Sequence, residues 1–180
     1  ETIKKNITRE KIVAVGEIGL DYFYNKSPIQ AQRYAFEKQL DLACELDAPV
    51  VIHTRDADDD ALAILKNFSG RLRKRGVLHS FTSGKNLAEF ALSEGYYLGF
   101  NGIITFKNAE NVREIVRLTP LKQILLETDA PFLTPLPFRG KENAPLYLPL
   151  IAKHLADILH LPIEQILPQI SQNTQKLFGL

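Results

Sequence analysis

A parallel α/β fold is predicted for this chain of 180 residues. Two observations predict it. Short β-branched runs alternate five times with longer helical stretches, the pattern of parallel strands joined by helical crossovers. The strand runs are near-continuous Val, Ile and Leu, as expected of strands covered on both faces. A doubly wound sheet and a (β/α) barrel both satisfy the pattern. With no low-complexity segment and no obvious linker, residues 1–180 read as one domain or part of one.

"KIVAVGEIG" (11–19) reads as the first buried strand. In "SPIQAQRYAFEKQLDLACEL" (27–46), Ser27 is a candidate N-cap and Pro28 suits the first helical turn. Phe36, Leu40 and Ala43 share one face of that helix. "APVVIHT" (48–54) is a second strand. "DDDALAILKNFS" (58–69) is a helix with acids at its N-terminal end, where the helix dipole favours them. "GVLHSF" (76–81) is a third strand, and "GKNLAEFALSEG" (84–95) a helix closed by Gly95. "YYLGFNGI" (96–103) is a fourth strand, "NAENVREIVRLTP" (108–120) a helix stopped by Pro120, and "LKQILLETDA" (121–130) holds a fifth strand. A Pro-rich loop runs to about Pro149, and helices follow around 147–160 and 162–178.

Apolar residues make up 45 % and charged residues 24 %, the balance of a globular chain. Twenty-two basic against 21 acidic residues give a net charge of +1, which predicts no broad basic face. The basic run "RLRKRG" (71–76) precedes the third strand and reads as solvated surface on the rim away from the strand ends. A single cysteine, Cys44, allows no internal disulfide, and a cytoplasmic setting is expected. No stretch of about 18 apolar residues predicts a membrane span, and no secretory leader is read at the start. The chain starts on Glu1 and contains no Met, which reads as a processed chain or a piece of a longer one.

The strand C-termini carry the chemistry. Glu17 and Asp21 end the first strand, His53 and Arg55 the second, and His79 the third. Asn101 ends the fourth, and Glu127 and Asp129 the fifth. In parallel α/β folds these ends share one rim, where sites are built. A lone histidine at a strand end is usually structural, and Asp129 before Ala130-Pro131 suits a turn. Together, two imidazoles and two carboxylates at corresponding points need a counter-charge. A divalent ion supplies it, and the donor types suit Zn, Mn, Fe, Ni or Mg. His154 and His160 lie away from the rim and read as structural or surface residues. Arg55, Arg139, Lys141 and Asn143 are candidates for holding phosphate oxygens, with a solvated loop as the alternative for the last three. No dinucleotide or phosphate-loop fingerprint is present.

"VGEIGLDY", "VVIHTRDA", "GVLHSFTSG", "GFNGIITFKNA", "LLETDAPFLTP" and "FRGKENAP" resemble, in order and over nearly the whole chain, the motifs of the TatD family of metal-dependent deoxyribonucleases. The resemblance implies a TIM-type (β/α) barrel that hydrolyses DNA phosphodiesters, often from the 3′ end, with one or two divalent metals such as Mg, Mn or Zn. It implies that Glu17, His53, His79 and Asp129 bind metal, with Glu17 bridging and Asp129 handling the proton of the attacking water. It places Arg139, Lys141 and Asn143 beside the substrate path. The family's opening His-x-His is missing, since the first histidine is His53. By the resemblance, about three strands are missing upstream of Ile12. About five of eight strands are then expected, as an open sheet with an exposed edge, and weak or no activity from this piece alone. The rival readings are a metal-dependent hydrolase of a small amide or ester, and an inactive barrel fragment.

Overall fold

The computed structural model describes residues 5–6, 11–24 and 26–180. Five strands form one parallel sheet: Val15–Asp21 (β1), Val50–Arg55 (β2), Val77–Leu78 (β3), Tyr97–Phe100 (β4) and Ile124–Leu126 (β5). Their spatial order is their sequence order. Four helices fill the crossovers: Ile29–Leu46 (α1), Asp58–Phe68 (α2), Lys85–Ser93 (α3) and Glu110–Leu118 (α4). Leu148–Leu159 (α5) and Ile163–Phe178 (α6) follow β5. A doubly wound sheet reverses its strand order at a switch point. No reversal occurs here, so the sheet is a barrel wall. Among the described residues β1 and β5 do not pair with each other, and the sheet is open.

Adjacent residues on each strand point to opposite faces. Ile52, Leu78, Leu98 and Ile124 are fully buried on one face, with Phe36 and Leu40 of α1, Ile64 and Leu65 of α2, Leu155 of α5 and Ile166 of α6. Each such side chain contributes about 1.5–3 kcal/mol by leaving water. The opposite face holds a small cluster of Val77, Tyr97 and Leu125, packed against Val51 and the α6 residues Leu177 and Phe178. Both faces are covered, one by a thick layer and the other by a thin cluster. The thin face is the concave side of the wall, and its next row, toward the strand C-termini, carries the polar residues.

Several predicted boundaries move. β1 begins at Val15, where Val15 N–H first meets the Pro49 carbonyl at 2.9 Å, four residues after the predicted start. β3 has only two residues of regular pairing. Ser27 does not cap α1. Pro28 stands at that position, with no side-chain cap, and the Ser27 carbonyl instead accepts from Gln32 Nε2 at 2.9 Å. After β4 the chain turns into a 3₁₀ helix, Gly102–Thr105, started by the Asn101 side chain accepting from Ile103 N–H at 3.1 Å.

The basic run at 71–75 is largely paired. Arg71 meets Asp41, Arg73 and Lys74 meet Asp47, and Arg75 meets Glu94. Cys44 is half-buried against the main core. Among the described residues no single helix is long and apolar enough to cross a membrane.

Asn173 fastens α6 to the sheet. It is 3 % exposed, and its Nδ2 donates to the Leu121 and Ile124 carbonyls at 2.8 Å each. Asn173→Ala removes both bonds; the Leu121 carbonyl keeps the Ile124 N–H as donor, while the Ile124 carbonyl loses its side-chain partner, at a cost of about 1–3 kcal/mol. A lower urea midpoint with an unchanged slope is the expected result, and an unshifted midpoint would refute it.

Candidate metal centre

Three strands bring three donors to one point on the concave face. His53 follows Val51 by two residues on β2, so it shares that face. His79 follows Val77 by two, and its N–H still pairs with the Ile52 carbonyl at 2.9 Å, extending the β3 ladder by one residue. Glu17 comes from β1, where the register with β2 is irregular between Val15 and Ile18. Two residues on, Gly19 has φ +138°, and a Cβ there would lie 1.9 Å from the His53 carbonyl oxygen. Only glycine permits this approach of β1 to β2.

The donor atoms converge. Glu17 Oε1 lies 3.0 Å from His53 Nδ1 and 2.9 Å from His79 Nε2, and the two ring nitrogens are 3.3 Å apart. Nitrogen and oxygen donors around one tetrahedral divalent ion stand about 3.3 Å apart, from bond lengths of about 2.0 Å. Among the described residues this is the one group of three or more such donors that could hold an ion together.

Each imidazole has its other nitrogen near a second carboxylate. His53 Nε2 lies 3.1 Å from Asp21 Oδ2. His79 Nδ1 lies 3.6 Å from Glu127 Oε1. A carboxylate behind a ligating histidine fixes the ring's tautomer and raises its basicity. Glu127 is itself held, accepting from Ser80 N–H at 2.6 Å and standing 3.4 Å from Asn101 Nδ2. Asn101 Nδ2 also donates to Ser80 Oγ at 2.8 Å, and these contacts hold Ser80 at φ +46°. Gly99 makes room for Glu127. A Cβ there would lie 2.8 Å from Glu127 Oε2 and 3.2 Å from the His79 Cα. The sequence suggests a supporting or structural role for Glu127, but the roles of Asp21, Asn101 and Ser80 went unread in it. The available signal was their place at the same strand ends.

Asp129 lines the same pocket of about 890 Å³ as Glu17, His53, His79 and Arg55, but stands outside the three-donor group. Its backbone is left-handed, φ +55°. Arg139 and Lys141 are exposed, lie over the Phe106 and Phe138 rings, and do not line that pocket. Asn143, a candidate phosphate contact by sequence, is 3 % exposed. Its Nδ2 donates to the Thr128 carbonyl at 2.7 Å and the Phe132 carbonyl at 2.5 Å, and its Oδ1 accepts from Ala144 N–H at 2.9 Å. The amide is spent on latching the loop that carries Asp129.

The Glu17 carboxyl sits between the two imidazoles, and the three groups shift one another. The His53 and His79 imidazoles hold the Glu17 carboxyl well below the ordinary carboxylate range, against the opposing pull of burial. Glu17, and behind it Asp21, raise His53, again against burial. Burial alone would lower His79, but Glu127 and Glu17 outweigh it and push its pKa up to about 10. Burial raises the Asp129 carboxyl.

A metal must displace the imidazole protons, so affinity is expected to rise with pH until the raised His79 pKa of about 10 is passed. Stability of the metal-free fold runs the other way. The raised His79 pKa contributes stability that is full below 6.5 and is lost as pH climbs through about 10. Thermal melts with and without Mn²⁺ from pH 6 to 9 are expected to diverge as pH rises. Parallel curves would refute the linkage.

The family described as TatD related DNase matches residues 1–179. The uncharacterized metal-dependent hydrolase YabD of Bacillus subtilis is 42 % identical over 178 residues, covering 99 % of this chain and 69 % of its own length. The 3′-5′ ssDNA/RNA exonuclease TatD of Erwinia amylovora is 38 % identical over 184 residues, covering 99 % and 71 %. The crystal structure of YJJV, a TatD homolog from Escherichia coli, superposes with a TM-score of 0.91 at 33 % identity, over 99 % of this chain and 68 % of that one. An amidohydrolase from Saccharomyces cerevisiae, at 20 % identity and a TM-score of 0.83, shares the fold. The chain belongs to the TatD-related family of metal-dependent hydrolases, enzymes that act on ester bonds.

Proposed function

We propose that this chain hydrolyses the phosphodiester bonds of DNA, removing nucleotides from the 3′ end. The observation that carries the reading is the convergence of Glu17, His53 and His79 in one pocket with Asp129 and Arg55. Glu17, His53 and His79 would hold a divalent ion. When bound, such an ion neutralises phosphate charge and makes a water molecule acidic near neutral pH. Asp129 takes the proton of the attacking water at its carboxylate, a role suited to a carboxyl raised by burial. Arg55 presents its guanidinium edge to phosphate oxygens. Arg139 and Lys141, farther along the Asp129 loop, add positive charge to the strand's path. Asp21 and Glu127 keep the two imidazoles oriented.

The proposal has a second part. The family resemblance and the open β1 edge support an upstream segment that completes the barrel and adds the His-x-His ligands. This chain alone is then a weak enzyme, and restoring that segment raises its activity.

A 5′-labelled single-stranded oligonucleotide, incubated with Mg²⁺ or Mn²⁺, tests both parts. Stepwise shortening from the 3′ end, abolished by EDTA and faster with the upstream segment restored, is expected. Turnover of aryl esters or amides without any cleavage of DNA would overturn the first part. Equal rates for the two chains would overturn the second.

A further inference from the structure

The loop after β1 carries two large aromatic side chains that no core claims. Phe23 is 56 % exposed and Tyr24 is 59 % exposed. They meet edge to face, with ring centroids 5.0 Å apart. The Arg55 guanidinium carbon lies 3.9 Å from the Phe23 ring centroid and 4.8 Å from that of Tyr24. Lys26 Nζ stands 5.7 Å from the Tyr24 ring.

This exposure is built. Gln32 of α1 grips the loop at three points: its Oε1 accepts from Asp21 N–H at 2.9 Å, and its Nε2 donates to the Asp21 carbonyl at 3.1 Å and the Ser27 carbonyl at 2.9 Å. Tyr22 N–H donates to the Arg55 carbonyl at 2.9 Å, and Tyr24 N–H to Asp21 Oδ1 at 2.9 Å. Asp21 is also the carboxylate behind His53. The loop that shows the rings to solvent is therefore tied directly to the metal centre. Tyr24, Lys26 and Arg55 line the same pocket as Glu17, His53 and His79.

Aromatic faces beside paired cations are the composition that binds single-stranded nucleic acid. Bases stack on the rings, while the cations meet the backbone. We propose that Phe23 and Tyr24, braced by Arg55, form a stacking platform for an unpaired nucleobase whose phosphate lies at the metal centre. The inference rests on the nuclease reading and deepens it by naming the residues that select an unstacked base. A paired base has its faces covered by its neighbours and leaves the platform empty, so a frayed or single-stranded end is preferred over a blunt duplex.

The test measures binding, so it does not depend on turnover. Anisotropy of a 5′-labelled single-stranded oligonucleotide with phosphorothioate linkages at its 3′ end, in Mg²⁺, gives the affinity of the full chain. The same strand with abasic residues at its last three positions is the control. Stacking of one base is expected to favour the normal strand by about 5- to 150-fold. Phe23→Ala/Tyr24→Ala should bring that ratio close to one, and Phe23→Trp/Tyr24→Trp should restore it. Both positions are exposed, and circular dichroism checks that the variants fold. Equal affinity of the parent chain for both strands overturns the platform, and so does a preference that survives the double alanine change. Failure of the nuclease reading shows separately, as tight base-selective binding of an unmodified strand that is never shortened in the cleavage assay.

Discussion

Replacing His79 with alanine is expected to cost the chain its divalent ion and, with it, cleavage. His79 Nε2 is 2.9 Å from Glu17 Oε1 and 3.3 Å from His53 Nδ1, so it forms one corner of a three-donor group. Two donors remain, and they no longer enclose a point. A metal contributes several kcal/mol of charge stabilisation to phosphoryl chemistry. Losing about 4 kcal/mol of that is a loss of about a thousandfold in rate. Calorimetric titration of Mn²⁺ into His79→Ala should show little heat, and kcat/KM on single-stranded DNA should fall by about that factor. The cause is separable from unfolding. Circular dichroism of His79→Ala without metal is expected to show the parent's secondary structure. Retained metal binding with retained activity would remove His79 from the centre.

Asp129→Asn is the second large effect, and its signature differs. The amide is nearly the same size as the carboxyl but takes no proton. Loss of a positioned general base costs about 10²- to 10⁴-fold in rate. Metal affinity should change far less than in His79→Ala, because Asp129 lies outside the three-donor group. The parent chain should lose activity on the acid side as Asp129 becomes protonated, at a pH raised by its burial. In Asp129→Asn that acidic limb should disappear, leaving a low, flatter profile. A variant with the parent's kcat and the parent's acidic limb would assign the proton to another group.

The centre was legible because its members obey a simple geometry. His53 and His79 each close a short apolar run, and parallel strands bring such ends to one rim; Glu17 stands inside β1 and meets them where the β1 register is irregular. What escaped was everything decided by contacts across the fold. Asn143 sits in a stretch of charged and polar residues that reads as open loop. Only the fold shows its amide turned inward to the Thr128 and Phe132 carbonyls. Ser27 has the chemistry of a helix cap, yet Pro28 takes that position and leaves the Ser27 carbonyl to Gln32. β1 starts four residues late because a strand begins where a partner is available, and Pro49 sets that point. Phe23 and Tyr24 lie in a loop without periodicity, so nothing in their spacing separates two displayed rings from two buried ones.

The gap at Gly99 has a practical consequence. Its missing side chain is the space into which Glu127 fits behind His79. A single methyl group there, on a residue that touches neither ion nor substrate, would push that acid aside and release the ring it steadies. Directed evolution that randomises only the visible walls of the cleft would pass over this position, although it governs how firmly the cleft grips its ion.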